Sequence, residues 1–470
     1  MGNDFPRMIH TPGGRDVPYY IIPFDERGRC EGPQTRSGLL ERLTNPAEAP
    51  SHIFVFSHGW NNDWTVATRR YERFINGYMA MSARLQLPHP DGFAPLLVGI
   101  FWPSTALVFG EDEEGPDIAG DDDGAATRAR DDDEQRRKEF TRLAVAHVPD
   151  DRVARFYELL DRAELDEAQA RELLALTQPM LTIASDEAGP EGGSEALLAN
   201  WAAITPDAEE LDPNAVGDLQ LDGAAGDIVL EGEGEGEAVP AAAGIGDIFD
   251  PLKNVANKLK KKLNPRDLVR MLTVRKMKDR AGTVGTNGVG PLLQEMLAAC
   301  DARITVIGHS YGAKVVLSAV CAGTLSRPVD SALLLQPAIS HLSFAGNVDG
   351  KPGGYRSALA RIDKPILSTF SKNDSALRKF FHHANGRAED LAEAKIAGDE
   401  DEPPTRFAAL GGWGPRQAGE QLIEILDAPN RYDLANGPEI YGLRGTARIS
   451  GHSDISNDTT YWALYCLVMS

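Results

Sequence analysis

The stretch "ITVIGHSYGAKVVLSAV", residues 304–320, decides how the rest of this chain is read. Four mostly β-branched apolar residues run directly into Gly-His-Ser-Tyr-Gly, and a small-residue segment with helical periodicity follows. The first part predicts a buried strand and the last a helix. Between them, Gly308-x-Ser310-x-Gly312 has the form of a nucleophile elbow, a sharp strand-to-helix turn that lifts a serine hydroxyl above the sheet. The two glycines would remove side chains that collide at such a turn, and Ala313 would let the helix begin close by. The motif alone is common; the strand before it and the helix after it make Ser310 a candidate nucleophile. The alternative is a structural turn carrying an ordinary serine.

A serine hydroxyl is a poor nucleophile near neutral pH and needs a base, and the base needs an orienting acid. When the serine sits on an elbow of this kind, the partners follow it in the order Asp/Glu, then His. Asp374, in "ILSTFSKND", stands just beyond an apolar strand-like run, where reactive groups collect in open parallel sheets. Asp363 and Asp349 are the substitutes. Among ten histidines, His452 in "ARISGHSDISND" has the expected place, on a polar loop before the helix-like "TTYWALYCLVM". His341 comes too early in the chain order, His382 and His383 follow the candidate acid closely, and His309 lies inside the elbow and is expected to pack there. Acyl transfer also needs donors for a developing oxyanion. "VFSHGWNN" ends a buried strand in His58-Gly59, which points to the backbone N–H groups of Trp60 and Tyr311, with Asn61 and Asn62 behind them.

Elsewhere in the chain, "PYYIIPF" (18–24), "HIFVFSHG" (52–59) and "APLLVGIFW" (94–102) read as strands, and residues 65–85 as an amphipathic helix. "GVGPLLQEMLAA", "RITVIG", "AKVVLSAVCAG", "SALLLQP" and "KPILSTFS" continue as helix, strand, helix, strand and strand. Such alternation predicts an α/β fold with a mostly parallel sheet covered by helices on both faces.

Charge separates one region from the rest. Residues 111–250 hold 38 acidic and 10 basic residues, whereas the remainder holds 32 and 38. The net charge of −22 therefore belongs to an insert, which would repel nucleic acid. Within it, Val153, Phe156, Leu159, Leu160, Leu173, Leu174 and Leu176 predict short helices over 134–182. Residues 183–246 are rich in Gly, Ala, Pro and acids and are expected to be disordered. The acidic runs lack the alternating spacing of a calcium loop. "FDPLKNVANKLKKKLNP" (249–265) has an apolar face opposed by five lysines, which suits a packed cap helix or, less simply, contact with an anionic membrane surface. The glycine-rich "RAGTVGTNGVG" lacks the Gly-Lys-Ser/Thr of a phosphate loop. Four dispersed cysteines, no signal-like N-terminus and no spanning-length apolar run lead to the expectation of a cytoplasmic protein, peripheral to a membrane at most.

The elements "VFSHGWNN", "FWPS", "RKMKDRAGTVG", "VIGHSYGAKVV", "PILSTFSKNDSAL" and "GHSDI" together resemble the α/β-hydrolase superfamily. More narrowly they are similar to poorly characterised bacterial and fungal esterase- and lipase-like members, over residues 15–110 and 265–465. The resemblance implies an α/β-hydrolase domain formed by residues 1–110 and 251–470 and interrupted by the insert at 111–250. It implies Ser310 as nucleophile, Asp374 as acid and His452 as base, with no metal or organic cofactor. The expected substrate is a small-molecule or lipid carboxylic ester; no motif identifies a protein partner. The reading from another class is a non-catalytic protein of the same fold, recruiting partners through the acidic insert or the lysine-rich helix.

Overall fold

A computed structural model describes residues 6–12, 14–60, 62–104, 150–160, 162, 164–177, 185–186, 189–190, 198, 265–381 and 402–470. The acidic runs, most of the segment expected to be disordered, the lysine-rich stretch before Pro265, Asn61, His382 and His383 lie outside these residues.

The strands are β1 (Arg7–Ile9), β2 (Val17–Pro23), β3 (His52–Ser57), β4 (Pro95–Phe101), a short hairpin β5 (Ser185–Asp186) and β6 (Gly189–Pro190), then β7 (Arg303–His309), β8 (Ser331–Leu335), β9 (Ile366–Phe370), β10 (Gln421–Glu424) and β11 (Ile440–Arg444). Nine of them form one sheet in the order β1-β2-β4-β3-β7-β8-β9-β11-β10. Edge strand β1 runs antiparallel to β2, and every other neighbouring pair is parallel. This is the mostly parallel α/β sheet expected from the alternating pattern.

Helices cover both faces. Alternate residues of each central strand divide between two cores: Ile53 and Val55 of β3 enter one, Phe54 and Phe56 the other. The first core receives α1 (Pro33–Thr44), α5 (Pro265–Val284), α6 (Gly290–Ala299) and α7 (Tyr311–Cys321). The second receives α2 (Trp64–Arg84) and α8 (Asp458–Val468). Burial on both faces explains why these strands are continuous apolar runs rather than alternating ones. Helix α2 starts where it does because Asp63 caps it, its carboxylate accepting from Val66 N–H at 2.7 Å.

Within the predicted helical part of the insert, α3 (Asp150–Leu160) and α4 (Glu167–Thr177) form. Phe156, Leu159, Leu173, Leu174 and Leu176 are buried in the first core with Val274 and Met277 of α5. The glycine-rich segment has a packing role. Helix α5 continues through one π-helical turn, Gly285–Val289, and Gly285 lies so close to α7 that a Cβ there would stand 2.4 Å from Val315 O. Among the described residues no helix is long and apolar enough to cross a membrane.

The order of the strands places the site. From β3 the chain crosses to β4 on one side, and from β7 it proceeds to β8 on the other. The carboxyl ends of β3 and β7 therefore flank a topological switch point, where open α/β sheets form their clefts. Register makes the meeting specific. Ser57 pairs with Gly308 and His309 with Leu335, so Gly59, Ser310 and Gln336 emerge at one level.

Candidate active site

Ser310 ends β7 and begins α7 with φ 54° and ψ −125°, a region that residues with a Cβ rarely occupy. Such a conformation costs on the order of 1–3 kcal/mol and persists only where the surroundings enforce it. They do so here. Ser310 N–H donates to Leu335 O at 3.1 Å, and Ser310 O accepts from Ala313 N–H at 3.1 Å and Ala338 N–H at 3.2 Å. The flanking glycines are sterically required: a Cβ on Gly308 would stand 2.5 Å from Ala313 Cα, and one on Gly312 would stand 2.1 Å from Ser57 O.

Asp374 follows β9 in the loop that the sequence pattern indicated. It is fully buried, and its Oδ2 lies 2.7 Å from Nδ1 of His452, whose side chain is 2% exposed. The other carboxylate oxygen accepts from Leu377 N–H at 3.0 Å, which fixes the direction of the carboxylate. The loop after β11 that carries His452 is tied to the neighbouring strand ends. Ser371 Oγ and Asn373 Nδ2 both donate to Ile449 O, at 3.0 and 2.8 Å. Gln336 Nε2 donates to Gly451 O at 2.5 Å and to His452 O at 3.0 Å. The imidazoles of His309 and His452 have centroids 5.0 Å apart. Thus Ser310, Asp374 and His452, spread over more than a hundred residues, come to one end of the sheet in the anticipated chain order. Among the described residues the link from Ser310 Oγ to His452 Nε2 is not closed as a hydrogen bond. Bonds of this kind commonly tighten only when substrate is present.

The substitutes fall away on position. Asp349 is exposed and pairs with Arg406 at 2.6 Å. Asp363 adjoins the Val329–Ile362 bridge that precedes β8 and β9, at the opposite end of the strands. His341 is buried with Nδ1 3.0 Å from Ala408 O, and burial lowers its pKa to about 4, so it serves as a neutral donor in the framework.

The expected oxyanion donors are aimed through their own peptide groups. In a trans peptide the C=O and N–H point in opposite directions. Gly59 O accepts from His58 Nδ1 at 2.8 Å and from Asn62 Nδ2 at 3.2 Å, so the Trp60 N–H of the same peptide is turned the other way. Among the described residues that N–H has no hydrogen-bond partner. Ser310 O is held in the same manner by Ala313 and Ala338, which orients the Tyr311 N–H at the positive end of α7. Gly59 is indispensable to this approach, because a Cβ there would lie 2.7 Å from Ser310 Cβ.

His58 maintains the turn rather than reacting. Its Nε2 must accept, because the Trp102 backbone N–H 3.3 Å away can only donate, so the proton is on Nδ1. Burial pushes its pKa down to about 3, which keeps the ring neutral. The ring stacks on Trp102, whose Nε1–H donates to His58 O at 3.0 Å. Asn62 N–H donates to Ser104 Oγ at 3.1 Å. The Trp-Pro-Ser segment is thus the buttress of the His-Gly turn.

Three contributors were not evident in the sequence: Arg70, whose Nη1 lies 2.8 Å from His309 Nδ1, Gln336, and the Ser371/Asn373 pair. Arg70 is one of several arginines in a helix whose pattern shows only which face is buried. Gln336 has φ 41°, a conformation that composition does not reveal. Comparison of the chain with family models, with curated proteins and with solved structures gives no match.

Proposed function

We propose that the protein is a serine hydrolase of α/β-hydrolase fold that cleaves carboxylic esters through an acyl-enzyme on Ser310. The observation that carries this reading is the buried 2.7 Å Asp374–His452 pair beside a strained serine at the carboxyl end of β7. With Asp374 on Nδ1, the proton of the neutral imidazole sits there and Nε2 is left basic. Ser310 Oγ attacks the ester carbonyl carbon while its proton passes to His452 Nε2. The carbonyl electron pair moves onto oxygen, which Trp60 and Tyr311 N–H stabilise. Collapse expels the alkoxide with the proton from His452, leaving an acyl-serine. Water then repeats the sequence, returning the acid product and free Ser310.

An ester is favoured over a peptide by the resemblance of the motifs to esterases and lipases. In this reading the insert at 111–250 interrupts a single domain. Its helix α3 packs on α5 and α4 packs on α3, and Tyr311 OH donates to Val274 O of α5 at 3.2 Å, so the insert adjoins the nucleophile's side of the sheet. The test is hydrolysis of nitrophenyl esters of graded acyl length by wild type, Ser310→Ala and His452→Ala. Loss of turnover in both variants, with unchanged melting, supports the proposal; wild-type turnover by Ser310→Ala rejects it.

A further inference from the structure

We infer that Arg70 and His309 form a positioning relay that holds the catalytic base through its main-chain carbonyl, an inference that rests on the serine-hydrolase reading. His309 is 1% exposed and immediately precedes the nucleophile. Arg70 Nη1 lies 2.8 Å from His309 Nδ1, and His309 Nε2 lies 3.0 Å from His452 O. The chemistry of the partners fixes every proton. A guanidinium only donates, so Nδ1 accepts; a carbonyl only accepts, so Nε2 carries the hydrogen. His309 is therefore a neutral imidazole in one tautomer, donating to the base's own backbone. Burial, and after it the charge of Arg70, holds its pKa well below the usual histidine value.

The reverse tautomer would set a lone pair on Nε2 against the His452 carbonyl oxygen and push the base loop outward. It would also oppose an Nδ1 hydrogen to the guanidinium. Arg70 excludes that state. The same ring bears on the third part of the site, because a Cβ on Gly59 would lie 3.0 Å from His309 Nδ1. One side chain thus adjoins the oxyanion turn, precedes the nucleophile and fixes the base. The second attachment of the base, Gln336 Nε2 on His452 O, arrives from β8, so the carbonyl is gripped from both neighbouring strand ends. Neither Arg70 nor His309 touches the reacting atoms in this scheme; both act through His452.

The relay makes predictions that a purely structural role does not. Replacing Arg70 by Met removes the donor that enforces the tautomer and polarises Nε2–H. A hydrogen bond to a charged group contributes about 1.5–3 kcal/mol, so kcat should fall roughly ten- to a hundredfold. KM should stay within about twofold, since no substrate contact is lost. Arg70→Lys, which still presents a cationic donor, should restore most of the rate. The protein is used at full length, with nitrophenyl acetate as substrate and a fluorophosphonate as the probe of Ser310. Independently of any variant that fails to fold, imidazole 15N spectra of the wild type should show His309, assigned by its loss in His309→Gln, neutral with the proton on Nε2. An Nδ1-protonated or cationic His309 at neutral pH overturns the inference. So does a folded Arg70→Met protein with wild-type kcat, or one that Lys fails to rescue. If Ser310 is not labelled at all, it is the hydrolase reading that fails; labelling of Ser310 with an unaffected Arg70→Met variant refutes the relay alone.

Discussion

Replacing Gly59 by alanine perturbs the site at its narrowest point. The backbone at Gly59 is one that alanine can adopt, since its φ is not among the positive values, so the effect comes from contact alone. The new methyl would stand 2.7 Å from Ser310 Cβ, 3.0 Å from His309 Nδ1 and 3.2 Å from His309 O. Carbon atoms in contact sit about 3.5–4.0 Å apart, so the turn and the nucleophile must separate by about 1 Å. Ser310 is held by Leu335 and Ala338, and the displacement should fall on the Gly59–Trp60 turn. A shift of about 1 Å costs on the order of 10²-fold in rate. Losing one oxyanion donor outright costs about 10²–10³. These are the same loss counted twice, so kcat should fall by about 10²–10³ with KM little changed. Overpacking should also lower stability by about 1–3 kcal/mol, seen as a modest drop in melting temperature. Steady-state hydrolysis of nitrophenyl acetate and a thermal scan measure both. Gly346→Ala, whose nearest neighbour would be Gln417 O at 4.0 Å, is the control. A Gly59→Ala protein with wild-type kcat and unaltered melting would refute the close approach of the two turns.

Asp374→Asn should leave the fold intact but present His452 in the wrong tautomer, lowering kcat by about 10⁴; a loss below tenfold would remove Asp374 from the mechanism. Gly312→Ala should give no folded protein, since its Cβ would meet Ser57 O at 2.1 Å, and a soluble variant with native circular dichroism would contradict the elbow geometry. Stability should decline as pH is lowered. His52 and His341 have pKa values lowered to about 4 and His58 to about 3, in each case by burial first. The unfolded chain takes up these protons near pH 6.5, so between about pH 6.5 and 4 it binds more protons than the folded one, and stability is lost as pH falls. His341→Gln, which keeps a donor for Ala408 O, should flatten the pH dependence of urea unfolding by about 1.4 kcal/mol per pH unit in that window; an unchanged slope would contradict a neutral His341.

Much of this arrangement is legible in the residues. Buried parallel strands read as apolar runs at 52–57, 95–101, 303–309 and 331–335 because both faces are covered, and the structure places strands there. Gly308, Gly312 and Gly59 announce close backbone approaches, and His452 pairs with Asp374 as the chain order suggested. Other features depend on three-dimensional neighbours and leave no local pattern. Strands β10 and β11 are short and lie among turns, so their apolar residues give little periodicity. Helix α1 begins at Pro33, with no side-chain cap to mark it. The role of Gln336 depends on a left-handed backbone and on a loop more than a hundred residues away. The supporting role of His58 likewise rests on its hydrogen bonds to Gly59 and Trp102, which no local pattern announces.

Whether Ser310 is an activated nucleophile is decided by covalent capture. Full-length protein treated with a fluorophosphonate and digested with trypsin should carry one adduct per chain, on the Ile304–Lys314 peptide at Ser310. Labelling should be absent in Ser310→Ala and strongly slowed in His452→Ala, because the probe reacts only with a serine whose proton is removed. Failure of native protein to label at Ser310, or equal labelling of Ser310 with and without His452, would contradict the account.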